Sequence, residues 1–253
     1  MKYQVSLITL YIVKKLLKLL KGNKYLCFLD FEGTQFSHEM IAYGAVLATI
    51  GKDLTIKKSK APIKVYVKAK NKIGKYVEEL TGIKQQELDK IGVPFSEAIY
   101  QLKKYCGLAF KKCTFVTFGN HDMRILSQSV SYNLDSPVEL TKQIIKYHLD
   151  FQAFISEYIK DQNNNPLSLE RYVEFFDIKF VGNAHDPRYD AINLMNIYNA
   201  FLANKELVTQ EYMKTLSRDT RLPLPLRQTL VKLTNGESVS PEEYKKAVEA
   251  CLE

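Results

Sequence analysis

Apolar and polar positions follow two rhythms along this chain. In QVSLITLYIVKKLLKLLK, residues 4–21, Leu10, Val13, Leu16, Leu17 and Leu20 recur at helical spacing, and Lys14, Lys18 and Lys21 fall on the opposite side. Gly22 and Asn23 stop that helix. Residues 25–30 are a continuous apolar run, as in a central strand buried on both faces. IAYGAVLAT (41–49) and PIKVYVK (62–68) read as the second and third strands, and the charged, turn-rich link between them predicts an antiparallel meander.

Further along, short helices are expected at 74–80 and 84–89, on either side of Thr81-Gly82-Ile83, and a longer one at 95–106 after Pro94. CTFVTFGN (113–120) is another apolar strand, followed by a helical pattern over 121–130. Residues 138–140 are too short a signal to define an element. Leu149 and Asp150 form a short strand or turn before a helix to about Lys160, and DQNNNP is a loop. A helix with Ser168 near its start follows, then a strong one over 187–202, whose Pro187 sits early, where a missing N–H costs nothing.

Composition narrows the class. The 253 residues suit one domain with extensions, and 46% apolar with 25% charged residues is ordinary for a folded chain with a sizeable core. The net charge of +8 suits a polyanionic partner such as nucleic acid or acidic lipid. Cys27, Cys106, Cys113 and Cys251 form no C-x-x-C pair, which argues against a zinc knuckle or a redox site. Two of the four lie in apolar runs, as buried thiols of a reducing cytosol do, so a cytoplasmic location is expected. No stretch is long and uncharged enough to span a membrane, and the lysines near the N-terminus follow its apolar residues, unlike a signal peptide. The N-terminal helix is read as packed on the domain. The sharper alternative is peripheral membrane contact through its basic face.

From about residue 206 the chain changes character. RLPLPLR cannot be a long regular element, and Ser240-Pro241-Glu242-Glu243 is a helix start, so the tail reads as a small helical appendage. The expected layout is an amphipathic helix at 1–24, a central domain at 25–204 and a helical extension at 205–253.

The chemistry lies in recurring acids. Asp30 and Glu32 follow the first strand directly, and alternation along a strand puts them side by side on one face. Like charges that close need a cation or a shared proton between them. Asp122 follows Gly119-Asn120-His121 at a strand-to-helix junction, where sites on open α/β sheets gather. His185 and Asp190 frame the start of the helix near Pro187. Taken singly, each has a plainer reading: solvated acids at a strand end, a helix N-cap, a surface histidine, or an acid that complements a helix dipole.

Taken together, these segments resemble the DEDDh 3′-to-5′ exonucleases, the superfamily of RNase T and the DnaQ-like proofreading subunits, and most nearly their Eri-type and KapD-like branch. DFEGT (30–34) is similar to that branch's first motif, EELTGI (78–83) to its E-L-T-G-I segment, FVTFGNHDMRIL to its second motif, and AHDPRYDAINL to its third, with Asn193 three residues after Asp190. The likeness runs from about Tyr25 to Leu202 and covers neither terminus. Pro187 stands where the family often has a small residue, and Ile192 where it usually has a basic one.

The resemblance implies an α/β, ribonuclease H-like fold: a mixed five-stranded sheet flanked by helices, its later two strands parallel to the first. It implies two Mg²⁺ ions, or Mn²⁺, held by Asp30, Glu32, Asp122 and Asp190, with His185 as the base that takes a proton from the attacking water. It also implies a pocket for the terminal nucleotides at Phe31, Gly33, Thr34 and Phe36. The lysine-rich stretch 57–72 and the basic tail are expected to steer the strand. Single-stranded 3′ ends are the expected partner, RNA favoured, with nucleoside 5′-monophosphates as products. The rivals are a DNA 3′-to-5′ exonuclease and a catalytically silent nucleic-acid-binding regulator.

Overall fold

The first strand, β1 (Tyr25–Gly33), runs through the middle of the molecule because it is apolar on both faces as far as Leu29. Leu26 and Phe28 point into one core, and Cys27, Leu29 and Phe31 into the other. The computed structural model describes residues 2–250, with side chains from residue 8 onward.

On one side, β2 (Met40–Ile50) pairs antiparallel with β1 along its whole length. On the other, β5 (Cys113–Thr117) runs parallel to β1, and β6 (His148–Asp150) runs parallel to β5. Both later strands therefore have the expected direction. The sheet has six strands, not five, because β2's outer edge carries two short ones. β3 (Ile56–Ser59) pairs with Ala48–Ile50, and β4 (Ile63–Tyr66) pairs with Ala42–Ala45. Residues 56–59 lie in the link whose composition predicts a turn. Pro62, which has no N–H, lies in the break that splits this edge segment in two.

Helices cover both faces. α2 (Lys75–Thr81) and α3 (Gln85–Ile91) flank Gly82, whose φ of 70° ends the first of them. α4 (Phe95–Cys106), α5 (His121–Tyr132) and α6 (Val138–Lys146) cover the face that buries Cys27 and Leu29. α6 extends from residues 138–140, which by themselves are too short to define an element. It buries only Thr141 and Ile144 and begins straight after Pro137. α7 (Phe151–Ile155), α8 (Leu169–Phe175, capped by Ser168) and α9 (Pro187–Ala203) build the other core.

α1 (Lys2–Leu20) packs on that second core through Ile12, Leu16 and Leu20. Leu10 and Leu17, which the sequence reading placed on the packed face, are exposed with Tyr11. The buried stripe is rotated from the one read, since leucine is abundant on both sides of this helix. Lys15 pairs with Glu157, and Lys21 Nζ donates to the Lys146 carbonyl at 2.7 Å. In the tail, α10 (Lys205–Ser217) buries Val208 against the same core, and α11 (Leu224–Thr234) starts inside RLPLPLR with Pro225 in its first turn. α12 (Pro241–Glu249) has the capping box that Ser240 and Glu243 announce. No helix among the described residues is long and apolar enough to cross a membrane. Cys27, Cys106 and Cys113 are free and buried, and Cys251 lies outside the described residues.

Candidate active site

Strand alternation builds the first part of the site. Leu26 and Phe28 face the core under α9, so Asp30 and Glu32 continue that face to where the apolar cover ends. The next part depends on Gly44, which lies opposite Asp30 on β2. A Cβ there would lie 1.9 Å from the Pro187 carbonyl oxygen, so glycine lets the first turn of α9 rest directly on the sheet. Asp190, in that first turn, is thereby carried to the acids of β1.

The segment before α9 is pinned locally. Asp186 caps the helix, its Oδ1 accepting the Arg188 N–H at 3.0 Å. Asn193 is buried one turn further on and holds Val181 at both backbone groups, at 2.9 and 3.1 Å. His185 adopts φ 61°, a left-handed conformation uncommon outside glycine, and donates its N–H to Asp190 Oδ2 at 2.9 Å. Its ring is exposed at the mouth of the site.

Asp122 comes from the first turn of α5 and is buried. Its Oδ1 accepts the backbone N–H of Phe31 at 2.7 Å, which fixes the carboxylate against the peptide between Asp30 and Glu32. Ligand atoms of Glu32, His185 and Asp190 lie within 4.8 Å of one another. Asp30 and Asp122 are not in that tight trio, but their charges reach it.

Electrostatics make the cluster costly as it stands. Burial, then the charges of Asp122, Glu32, Asp190 and Asp186, hold the Asp30 carboxyl well above the usual carboxylate range. Burial, then Asp190 and Asp122, push Glu32 up to about 8 against the Lys64 ammonium, which lowers it. Burial raises Asp122 to about 7 in spite of the Phe31 N–H, and Asp190 to about 6 in spite of the His185 N–H.

Divalent cations fit this donor set. The acids supply hard oxygens, and Asp190 Oδ1 is buried without a hydrogen-bond partner, free to bind a cation. A cation among the acids also removes the repulsion that raises them.

The expected nucleotide-pocket residues divide. The Phe31 ring is only 5% exposed and sits edge-to-face on Tyr43, 6.3 Å between centroids. It cannot stack on a base, because strand alternation turns it away from the acids. Thr34 is 2% exposed, and its hydroxyl is engaged by Ser37 at 2.6 Å and by the Glu39 N–H at 2.9 Å. Gly33 leaves 2.9 Å between a would-be Cβ and Ile125. Phe36, 83% exposed at the loop tip, is the residue of this group whose ring is open to a ligand. Asp186 and Asp150 had no expected role, and Lys64 was expected only as part of the strand-steering stretch 57–72. Asp186 was visible as a helix-capping acid beside His185, whereas Lys64 reaches the site only through sheet register. Asp150, which caps α7, adds its charge near Asp122.

Fold and site together define a nuclease of the DEDDh type. The family model described as RNase T exonuclease matches residues 27–198, and the chain belongs to that family. Among solved structures, the chain is similar to the nuclease domain of 3′hExo bound to rAMP, at 20% identity over 72% of this chain and 93% of that one, TM-score 0.57. It is similar to cell-death related nuclease 4, CRN-4, at 22% identity over 72% of this chain and 64% of that one, TM-score 0.57. It is also similar to E. coli exonuclease I in complex with a dA16 oligonucleotide, at 16% identity over 77% of this chain and 44% of that one, TM-score 0.55. No curated protein matches the chain.

Proposed function

We propose that this protein is a divalent-cation-dependent 3′-to-5′ exonuclease acting on single-stranded 3′ ends, with RNA favoured over DNA and Mg²⁺ as the working ion. The observation that carries the reading is the meeting of Glu32, His185 and Asp190, ligand atoms within 4.8 Å, with Asp122 hydrogen-bonded to the peptide between the two β1 acids.

When bound, the cations would polarise the scissile phosphate and make a bound water more acidic. Asp30, Glu32, Asp122 and Asp190 supply their oxygens. His185 takes a proton from the attacking water, since imidazole is the side chain suited to that task near neutral pH. The water oxygen bonds to phosphorus, the P–O3′ bond breaks, and the departing 3′ oxygen takes a proton from solvent water. A nucleoside 5′-monophosphate is released. Phe36 offers a ring to a base at the 3′ end, and Gly33 and Thr34 shape the wall beside it. Lys57, Lys58, Lys60, Lys68, Lys70 and Lys72 are exposed along the β3–β4 edge and beyond it, a basic track for the phosphate backbone. Buried free thiols favour a reducing, cytoplasmic setting.

The test is a gel time course on matched 3′-tailed RNA and DNA oligonucleotides with Mg²⁺, Mn²⁺ or chelator. Stepwise shortening from the 3′ end, faster on RNA and abolished by chelator, is the expected result. Faster DNA cleavage would overturn the RNA preference, and no shortening with either metal would overturn the exonuclease.

A further inference from the structure

Residues opposite one another on antiparallel neighbours share a face of the sheet. Asp30 faces Gly44 across β1 and β2, and Gly44 faces Lys64 across β2 and β4. Lys64 therefore stands in the same row as Asp30, with only a glycine between them. The next row runs Glu32, Ala42, Tyr66. None of the acidic motifs contains Lys64.

Its ammonium is committed. Lys64 Nζ lies 3.1 Å from Asp186 Oδ2 and 4.8 Å from the centroid of the Tyr66 ring. The two charged side chains are only 15% and 21% exposed, so salt and water screen this pair far less than a surface pair. Asp186 works with both oxygens: Oδ1 caps α9 through the Arg188 N–H, and Oδ2 takes Lys64. The residue before it is His185, held at positive φ. The Asn193–Val181 and His185–Asp190 bonds close this segment on its own helix. The Lys64–Asp186 pair ties it to the sheet that carries Asp30 and Glu32.

We propose that Lys64 is a positioning residue of the nuclease: acting through Asp186, it fixes the His185 segment over the acids of β1. The inference rests on His185 being the base of the proposed reaction. It assigns Lys64 no direct contact with substrate: its ammonium is directed at Asp186 and the Tyr66 ring.

The test is a set of variants, K64M, K64R, D186N and K64M/D186N, measured in two ways. Asparagine caps helices as well as aspartate, so D186N weakens the tie and keeps the cap. Displacing a reacting group by about 1 Å can cost on the order of a hundredfold in rate. K64M and D186N are each expected to lower kcat at least about tenfold, with KM for a single-stranded oligonucleotide changed less than about twofold. K64R is expected to keep most of the parent kcat, and the double variant to lose no more than either single one, as two halves of one contact must. Hydrogen exchange supplies a readout that needs no turnover: amides of 182–190 exchange faster in K64M and D186N while the β1 and β5 amides hold. If K64M melts far below the parent, D186N carries the test. An unchanged kcat, a rise in KM alone, or losses that multiply in the double variant would overturn the proposal. Faster exchange at 182–190 in a chain that shortens no oligonucleotide would instead sink the exonuclease reading and leave the tie standing.

Discussion

The backbone N–H of Phe31 donates to Asp122 Oδ1 across 2.7 Å, joining the first turn of α5 to the peptide that separates Asp30 from Glu32. Asp122 is thus both an acid of the site and a hydrogen-bond acceptor for that buried amide, and two substitutions separate the roles. D122N keeps an acceptor for Phe31 and sheds a buried charge, so its melting temperature is expected to match or exceed the parent's. D122A strands the amide, at a cost of about 1–3 kcal/mol, and is expected to melt lower. Both are expected to lose at least about a hundredfold in exonuclease rate, as removal of a charged group from a preorganised site does. Equal melting temperatures for the two variants would refute the structural half of the argument.

His185 is exposed, and the structure holds it through its backbone, not its ring. H185A is therefore expected to fold as the parent does and to keep its affinity for divalent cations, measured by calorimetry. Loss of general base catalysis should lower kcat by a factor on the order of 10²–10⁴. A variant that hydrolyses RNA at the parent rate removes His185 from the reaction.

The raised acids link stability to pH. Ordinary carboxyls lose their protons near pH 4, whereas Asp190, Asp122 and Glu32 hold theirs to about 6, 7 and 8 in the folded chain. Between about pH 4 and pH 8 these three acids therefore bind more protons in the folded state than in the unfolded one, and the stability they contribute falls as pH rises through that window. In chelator, the melting temperature is expected to be lower at pH 8.5 than at pH 6. Millimolar Mg²⁺ should raise it more at pH 8.5, where the acids are charged. Thermal melts at the two pH values, with and without the ion, check this, and a melting temperature that climbs from pH 6 to pH 8.5 in chelator contradicts it.

Gly44 allows α9 to touch the sheet. A methyl group 1.9 Å from the Pro187 carbonyl has no room, so G44A must push the helix start outward. The expected result is about 1–3 kcal/mol of destabilisation from overpacking, together with near-complete loss of activity, because Asp190 and His185 move with the helix. Denaturant titration and the oligonucleotide assay measure the two effects. Parent-like activity would mean that the acids tolerate that shift.

Phe36 is the open aromatic ring of the expected nucleotide pocket. F36A is expected to raise KM for single-stranded oligonucleotides by roughly tenfold or more, since base–aromatic stacking contributes about 1–3 kcal/mol, with little change in kcat. Steady-state kinetics on a short tailed substrate distinguishes this from a fall in kcat alone, which would remove Phe36 from ground-state binding.

Sequence alone determined the elements whose own side chains carry a clear period, and the acids attached to them. β1, α4 and α9 are legible because each buries a continuous apolar set, and Ser168, Pro187 and Ser240 mark helix starts by local chemistry. Alternation along β1 was enough to put Asp30 and Glu32 on one face and, followed one step further, the Phe31 ring on the other. Tertiary structure alone decided what depends on register and on neighbours distant in sequence. β3 is a strand because it lies along an open edge of β2, and α1 buries a stripe that its many leucines did not single out. Lys64 joins the site because Gly44 aligns it with Asp30 across two strand pairs and because α9 brings Asp186 to it. A residue's own neighbours set which way its side chain points along a strand. What that side chain meets is set by strands and helices that reach it only once the chain has folded.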